Sequence, residues 1–147
     1  LAKENTMQDY VESFAVSYPA AARAVSLALE EGQRQGVLVA VTVVDPTMGL
    51  VAFGRADGSM PHSVETSRRK ANTAASSRRP SGWMQGDFAL TLPMGTDNLL
   101  TNIRGGFPIT FDGRHLGGLG VAGGTPDQDA EIGLAVLKAL RSEVQAV

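Results

Sequence analysis

Residues 37–44 read Val-Leu-Val-Ala-Val-Thr-Val-Val, apolar but for one threonine and dominated by β-branched side chains. A strand wet on one face alternates apolar with polar residues, whereas an unbroken apolar run belongs to a strand covered on both faces. The rest of the chain must therefore supply a layer on each side of a sheet. Residues 20–35 repeat Ala21, Ala24, Val25, Ala28 and Leu29 at helical spacing, with Pro19 in the first turn and Gly36 at the end. Residues 7–18 carry Tyr10, Val11 and Phe14 at similar spacing and predict a second, shorter helix. Beyond the central strand, Asp45 to Gly49 has the composition of a turn, and residues 50–55 return as the other arm of a hairpin.

Residues 62–77 lack Gly and Pro and read as a helix whose small side chains let it lie close to a sheet. Residues 78–102 show weak periodicity, as a long loop with room for one short helix. Residues 107–111 and 116–122 flank Asp112-Gly113, a second hairpin signal. Thr125 to Gln128 is a capping box with Pro126 at the first helical position. It opens a helix to about Gln145, with Ile132, Ala135, Val136, Ala139 and Leu140 as the inner stripe. This order predicts an α+β fold with an antiparallel sheet, in one domain over residues 1–147.

Composition removes several function classes. Thirteen Lys and Arg against 15 Asp and Glu leave a net charge of −2, without the basic excess of a nucleic-acid binder. The absence of cysteine removes disulfide scaffolds, thiolate zinc sites and iron–sulfur clusters. No apolar run approaches the roughly 18 residues that span a bilayer. A cytoplasmic location is expected, with secretion or a periplasmic location left open. No HExxH motif and no orderable Ser/His/Asp triad is present, so no metal is expected.

Seventeen glycines, many between Gly105 and Gly124, mark where the backbone turns sharply or something approaches closely. Gly117 to Gly124 runs from a strand into a helix start, which offers free amides to an anion; a close backbone crossing explains the same glycines equally well. On a wheel of residues 62–77, His62, Thr66, Lys70 and Thr73 share a stripe opposite Val64, Ala71 and Ala75. That stripe either lines a pocket for an anionic or carbonyl group or is a solvated face with Glu65 and Arg69 as an i,i+4 pair. Asp129 lies on the inner side of the last helix's first turn, where it must cap amides, meet a cation or face a cavity. Asp127 and Glu131 point outward, and Arg104 stands beside the Gly105-Gly106 turn. Leu134 and Leu137 on the outer side suggest a subunit contact, although isolated exposed leucines are ordinary.

Several of these stretches, taken together, resemble a known family. They are Val43-Val-Asp45, Leu50 to Phe53, Arg55-Ala-Asp-Gly58, Ser63, Lys70 to Ala74, Gly105 to Ile109, Gly113, Gly118 to Gly124 and Gln128-Asp129 with Ile132. The family is the GlcG/HbpS-like haem-binding family, which includes the C-terminal domain of PduO-type corrinoid adenosyltransferases. The resemblance implies a profilin-like α/β/α sandwich around a five-stranded antiparallel sheet, assembled into homo-oligomers. It also implies a pocket bordered by Lys70, Thr73, Gly106, Pro108, Gly123, Gly124 and Asp129. Two functions follow as expectations. One is a small-molecule binding protein for haem, a corrinoid or another anionic planar ligand, with Lys70, Arg69 or Arg104 meeting carboxylates. The alternative is a cofactor-independent lyase or isomerase for a compact carboxylate, aromatic or not, in which Lys70 and Asp129 or Glu65 exchange protons.

Overall fold

The computed structural model describes residues 7–141. Its elements are α1 (Tyr18–Arg34), β1 (Ala40–Val44), β2 (Leu50–Arg55), α2 (Ser63–Ser77), α3 (Phe88–Gly95), β3 (Gly106–Phe111), β4 (Arg114–Ala122) and α4 (Pro126–Ala139). All strand pairs are antiparallel, in the order β2-β1-β4-β3. The described residues form four strands rather than the expected five.

The run that demanded two covering layers has them. β1 is buried along its whole length between β2 and β4. On one face Val41, Val43, Phe107, Ile109, Leu119 and Val121 pack with Ala21, Ala24, Val25 and Ala28 of α1 and Ile132, Val136 and Leu137 of α4. The opposite face belongs to α2 and is chemically different. Val44 with Ala71 and Ala75 is a small apolar cluster there, next to a buried hydroxyl pair, Thr42 and Ser67, 2.7 Å apart.

Glycines explain how α2 sits so close. A Cβ on Gly106, Gly118 or Gly120 would overlap the carbonyl oxygens of Lys70, Ala71 and Ser67 in turn, so the helix backbone rests directly on β3 and β4. Of the two readings of this stretch, the close backbone crossing holds for Gly118 and Gly120. Both hairpins form: Asp45 Oδ1 accepts from the Thr47 hydroxyl at 2.7 Å, Gly49 N at 3.0 Å and Thr47 N at 2.8 Å, and these bonds, the hydroxyl's above all, hold its carboxyl below the usual range. Asp112 and Gly113 both have positive φ, the backbone of a type I′ turn.

Four expectations need correction. Residues 7–16 are not helical; few of their side chains find a partner surface, and so short a helix is unstable without one. Instead Val16 N donates to Leu116 O at 2.8 Å, where β4 runs on past the end of β1. α4 ends at Ala139 with Leu140 as its cap, and the predicted stretch from 142 onward lies outside the described residues. Leu137 faces the core, because the buried stripe of α4 runs through Asp129, Ala130, Ile132, Gly133, Val136 and Leu137 and leaves only Leu134 partly open. Finally, Lys70 and Thr73 are not opposite Ala71 and Ala75 in burial; all four are enclosed, Ala71 and Ala75 against the sheet, Lys70 against Val121 and Asp129, and Thr73 under the chain that follows α3.

Candidate functional site

Two candidate residues 59 positions apart in the chain meet in the interior. Lys70 Nζ donates to Asp129 Oδ2 at 2.9 Å and to Val121 O at 2.8 Å, and the side chains are 1% and 2% exposed. Asp129 Oδ1 accepts from Gly124 N at 2.8 Å. The carboxylate therefore both closes the strand-to-helix corner and neutralises the ammonium. Burial lowers the Lys70 pKa from 10.5, and the facing Asp129 charge only partly offsets this. The local sequence makes the meeting possible. Thr125 and Gln128 complete the capping box, which turns Asp129 inward, while a side chain on Gly105 would come within 2.9 Å of Nζ.

Around this pair the other candidates divide. Gly106, Thr73 and Pro108 are buried in the α2–β3 contact. The Thr73 hydroxyl accepts from Thr101 N at 2.9 Å and lies 2.8 Å from Arg69 O, so it fastens the covering loop to α2. Gly123 and Gly124 are half-buried at the corner. Arg104 pairs with Asp127 at the surface. Glu65 is exposed and pairs with Arg68 at 3.6 Å, not with Arg69 as expected, which separates it from Lys70 and Asp129.

His62, Thr66 and Arg69 follow one another along the outer face of α2. His62 stands at the helix start without a side-chain capping bond, and Thr66 Oγ1 donates to its carbonyl oxygen at 3.1 Å. The Arg69 guanidinium pairs with no carboxylate among the described residues. Leu38 and Met60, both exposed, belong to the same end: Leu38 adjoins Gly58 and Gly123, and Met60 lies in the turn before His62. The Ser59 hydroxyl in that turn is enclosed and has no partner.

His115 is engaged elsewhere. Its Nε2 lies 2.7 Å from Ala75 O, and burial, with a smaller push from the Arg78 charge, holds its pKa below 6.5. Residues the sequence did not single out also build the site. Ser81 Oγ accepts from Gly106 N at 2.8 Å and bonds to Ile103 O, while Asn102 holds both backbone groups of Met84. These polar side chains on a weakly patterned loop carry no local signal of such partners. Among the described residues no three of His, Cys, Asp or Glu gather as a metal site, and no helix is long and apolar enough to cross a membrane.

Comparison with known proteins agrees with this architecture. The chain is 32% identical to Protein GlcG of Escherichia coli K12 over 108 residues, 73% of this chain and 81% of that one. A crystal structure of a double mutant of Streptomyces reticuli HbpS superposes with a TM-score of 0.80 at 28% identity, covering 95% of this chain and 97% of the other. A PduOC:haem complex superposes with a TM-score of 0.82 at 25% identity, covering 90% and 99%. The family described as Haem degrading protein HbpS-like matches residues 16–138, and the chain belongs to it.

Proposed function

We propose that this chain is a haem-binding protein that works as a homo-oligomer and holds its ligand against the N-terminal end of α2. Haem supplies an iron that takes an imidazole ligand, two apolar faces and two carboxylates that seek cations. The residues at this end fit those requirements. The observation that carries the reading is the unengaged His62, with the unpaired Arg69 two turns along the same helix face, about 10 Å away. Leu38 and Met60 provide apolar surface beside them. His115 fits less well because its Nε2 is committed to Ala75 O.

The HbpS-like family description and the PduOC:haem complex support haem as the first ligand to try, with a corrinoid as the second. His62, Met60 and Leu38 are all exposed in the single chain, which favours completion by another copy. The proton-transfer alternative is not favoured: Lys70 and Asp129 are sealed against each other, with no face turned to a substrate, and Glu65 is remote from both.

Titration with haemin, followed in the Soret band, tests the reading. Saturable micromolar binding is expected, with His62→Ala shifting the band and weakening binding at least about tenfold, and Arg69→Ala weakening it less. Saturation by cobalamin but not by haemin would make the ligand a corrinoid. Saturation by neither would overturn the reading.

A further inference from the structure

Residues 85–104, which include α3, contain no buried residue. Even α3, apolar over most of its length, buries none of its side chains, and Leu90 and Met94 are 67% and 73% exposed. The segment is fastened by side-chain hydrogen bonds instead. Along residues 99–103 every second residue is gripped: Asn72 Nδ2 donates to Leu99 O at 3.1 Å, the Thr73 hydroxyl accepts from Thr101 N at 2.9 Å, and Ser81 Oγ donates to Ile103 O at 2.7 Å. Between them, Asn102 Oδ1 accepts from Met84 N at 2.9 Å and its Nδ2 donates to Met84 O at 3.1 Å. The Arg104–Asp127 surface pair and a tilted contact of Phe88 with Trp83, ring centres 5.9 Å apart, complete the attachment.

A segment that buries no apolar side chain gives up chiefly hydrogen bonds when it lifts, and water replaces those. Both of its ends can turn. Gly86 has φ +59 with no atom within 4 Å of where a Cβ would stand, and Gly105 has φ +126 while its carbonyl oxygen stays bonded to Val121 N at 2.9 Å. Asn72 favours lifting. It is 1% exposed, yet its Oδ1 has no hydrogen-bond partner among the described residues. A buried acceptor without a partner destabilises the closed arrangement, and water that reaches it in the open one removes that cost.

We propose that residues 85–104 are a flap that lifts as one unit about Gly86 and Gly105 and gates the polar face of α2 formed by Asn72 and Thr73. Closed, the flap seals this face and occupies its hydrogen-bonding groups with its own backbone. Open, it frees Asn72, Thr73 and the neighbouring Ser81 for an incoming polar group. The core is undisturbed in either state, because the sheet side of α2 rests on Gly106, Gly118 and Gly120, none of which belongs to the flap. The inference does not rest on the haem reading: His62 stands ten residues before Asn72, about 15 Å away along the helix.

The absence of cysteine allows a direct test on the full chain. Thr73→Cys puts a thiol under the flap, and Val44→Cys puts one between the sheet and α2, where only global unfolding exposes it. With a disulfide reagent in excess, the first thiol is expected to react at least about 100-fold faster than the second. Adding Asn102→Ala, which removes both bonds to Met84, is expected to speed the first reaction about tenfold and leave the second unchanged. Hydrogen exchange of the unsubstituted chain guards against a flap loosened by the Thr73 change itself: the Thr101 amide should exchange well ahead of the β1 amides, at a rate insensitive to low urea. Equal reaction rates for the two thiols, an Asn102→Ala effect shared by both, or a Thr101 amide as slow as those of β1 would each overturn the flap, since each means that this face opens only when the whole chain unfolds.

Discussion

The Lys70–Asp129 pair sets the energetics of the interior. Two charges taken out of water are tolerable only while each meets the other and the remaining hydrogen-bonding positions are filled, here by Val121 O and Gly124 N. Asp129→Ala leaves an ammonium buried alone and is expected to cost about 3–5 kcal/mol, with Lys70→Met costing a similar amount. The double variant Lys70→Met with Asp129→Ala should cost less than the sum, which urea denaturation of the four proteins measures; strict additivity would show that the pair does not act as a unit. The same proteins have a pH signature. Because the folded Lys70 pKa lies below 10.5, the unfolded chain binds more protons between those two values, and stability rises with pH across that window. Lys70→Met should abolish that rise. Both partners were legible in the sequence as unusual, one a lysine far from the chain ends and the other an acid on an inner helix face. Nothing local links positions 59 apart, so only the family resemblance set the two beside each other, and it did so around a pocket rather than as a sealed ion pair.

At the scale of elements, the contact between α2 and β4 decides the packing. Glycine at 120 is required by approach rather than by backbone angle, since a Cβ would overlap the Ser67 carbonyl oxygen. Gly120→Ala must lift the helix off the sheet and is expected to destabilise by about 3 kcal/mol or more. Gly95→Ala, where no atom lies within 4 Å, is the control and should be neutral or slightly stabilising. Thermal melts compare them, and equal midpoints would mean that the crossing is looser than described. The boundaries of α2 and both hairpins could be read from Gly, Pro and turn residues. The orientation of α2 could not, because a wheel assumes that polar residues face water. Asn72 and Thr73 instead bond to Leu99 O and to Thr101, so polar side chains are buried against a loop whose course has no periodic signal. The same blindness hid Ser81, whereas the glycine cluster, read equally as an anion cradle and as a close backbone crossing, admits a helix at Gly118 and Gly120.

At the scale of the whole molecule, surfaces left open join the fold to its function. The sheet reads as expected at its centre, where β1 is buried throughout, and differs at its margin, where residues 7–16 form neither the predicted helix nor a further strand. Their apolar spacing is that of a helix, yet Met7, Tyr10 and Val11 stay exposed in the single chain. At the end of α2, the proposed site makes His62, Met60 and Leu38 one wall for a flat ligand, and a flat ligand has two faces. If a second copy supplies the other wall, ligand binding and assembly are thermodynamically linked, and each must strengthen the other equally. Haemin at 100 times its dissociation constant then adds about 2.7 kcal/mol to the assembled state, equivalent to about a 100-fold fall in the subunit dissociation constant. Sedimentation equilibrium at protein concentrations near that constant, with and without haemin, reads this directly. A shift toward the oligomer, lost in His62→Ala but retained in Lys138→Ala on the exposed end of α4, would place the ligand between copies. An unshifted equilibrium with saturated haemin would mean that one chain completes the site by itself.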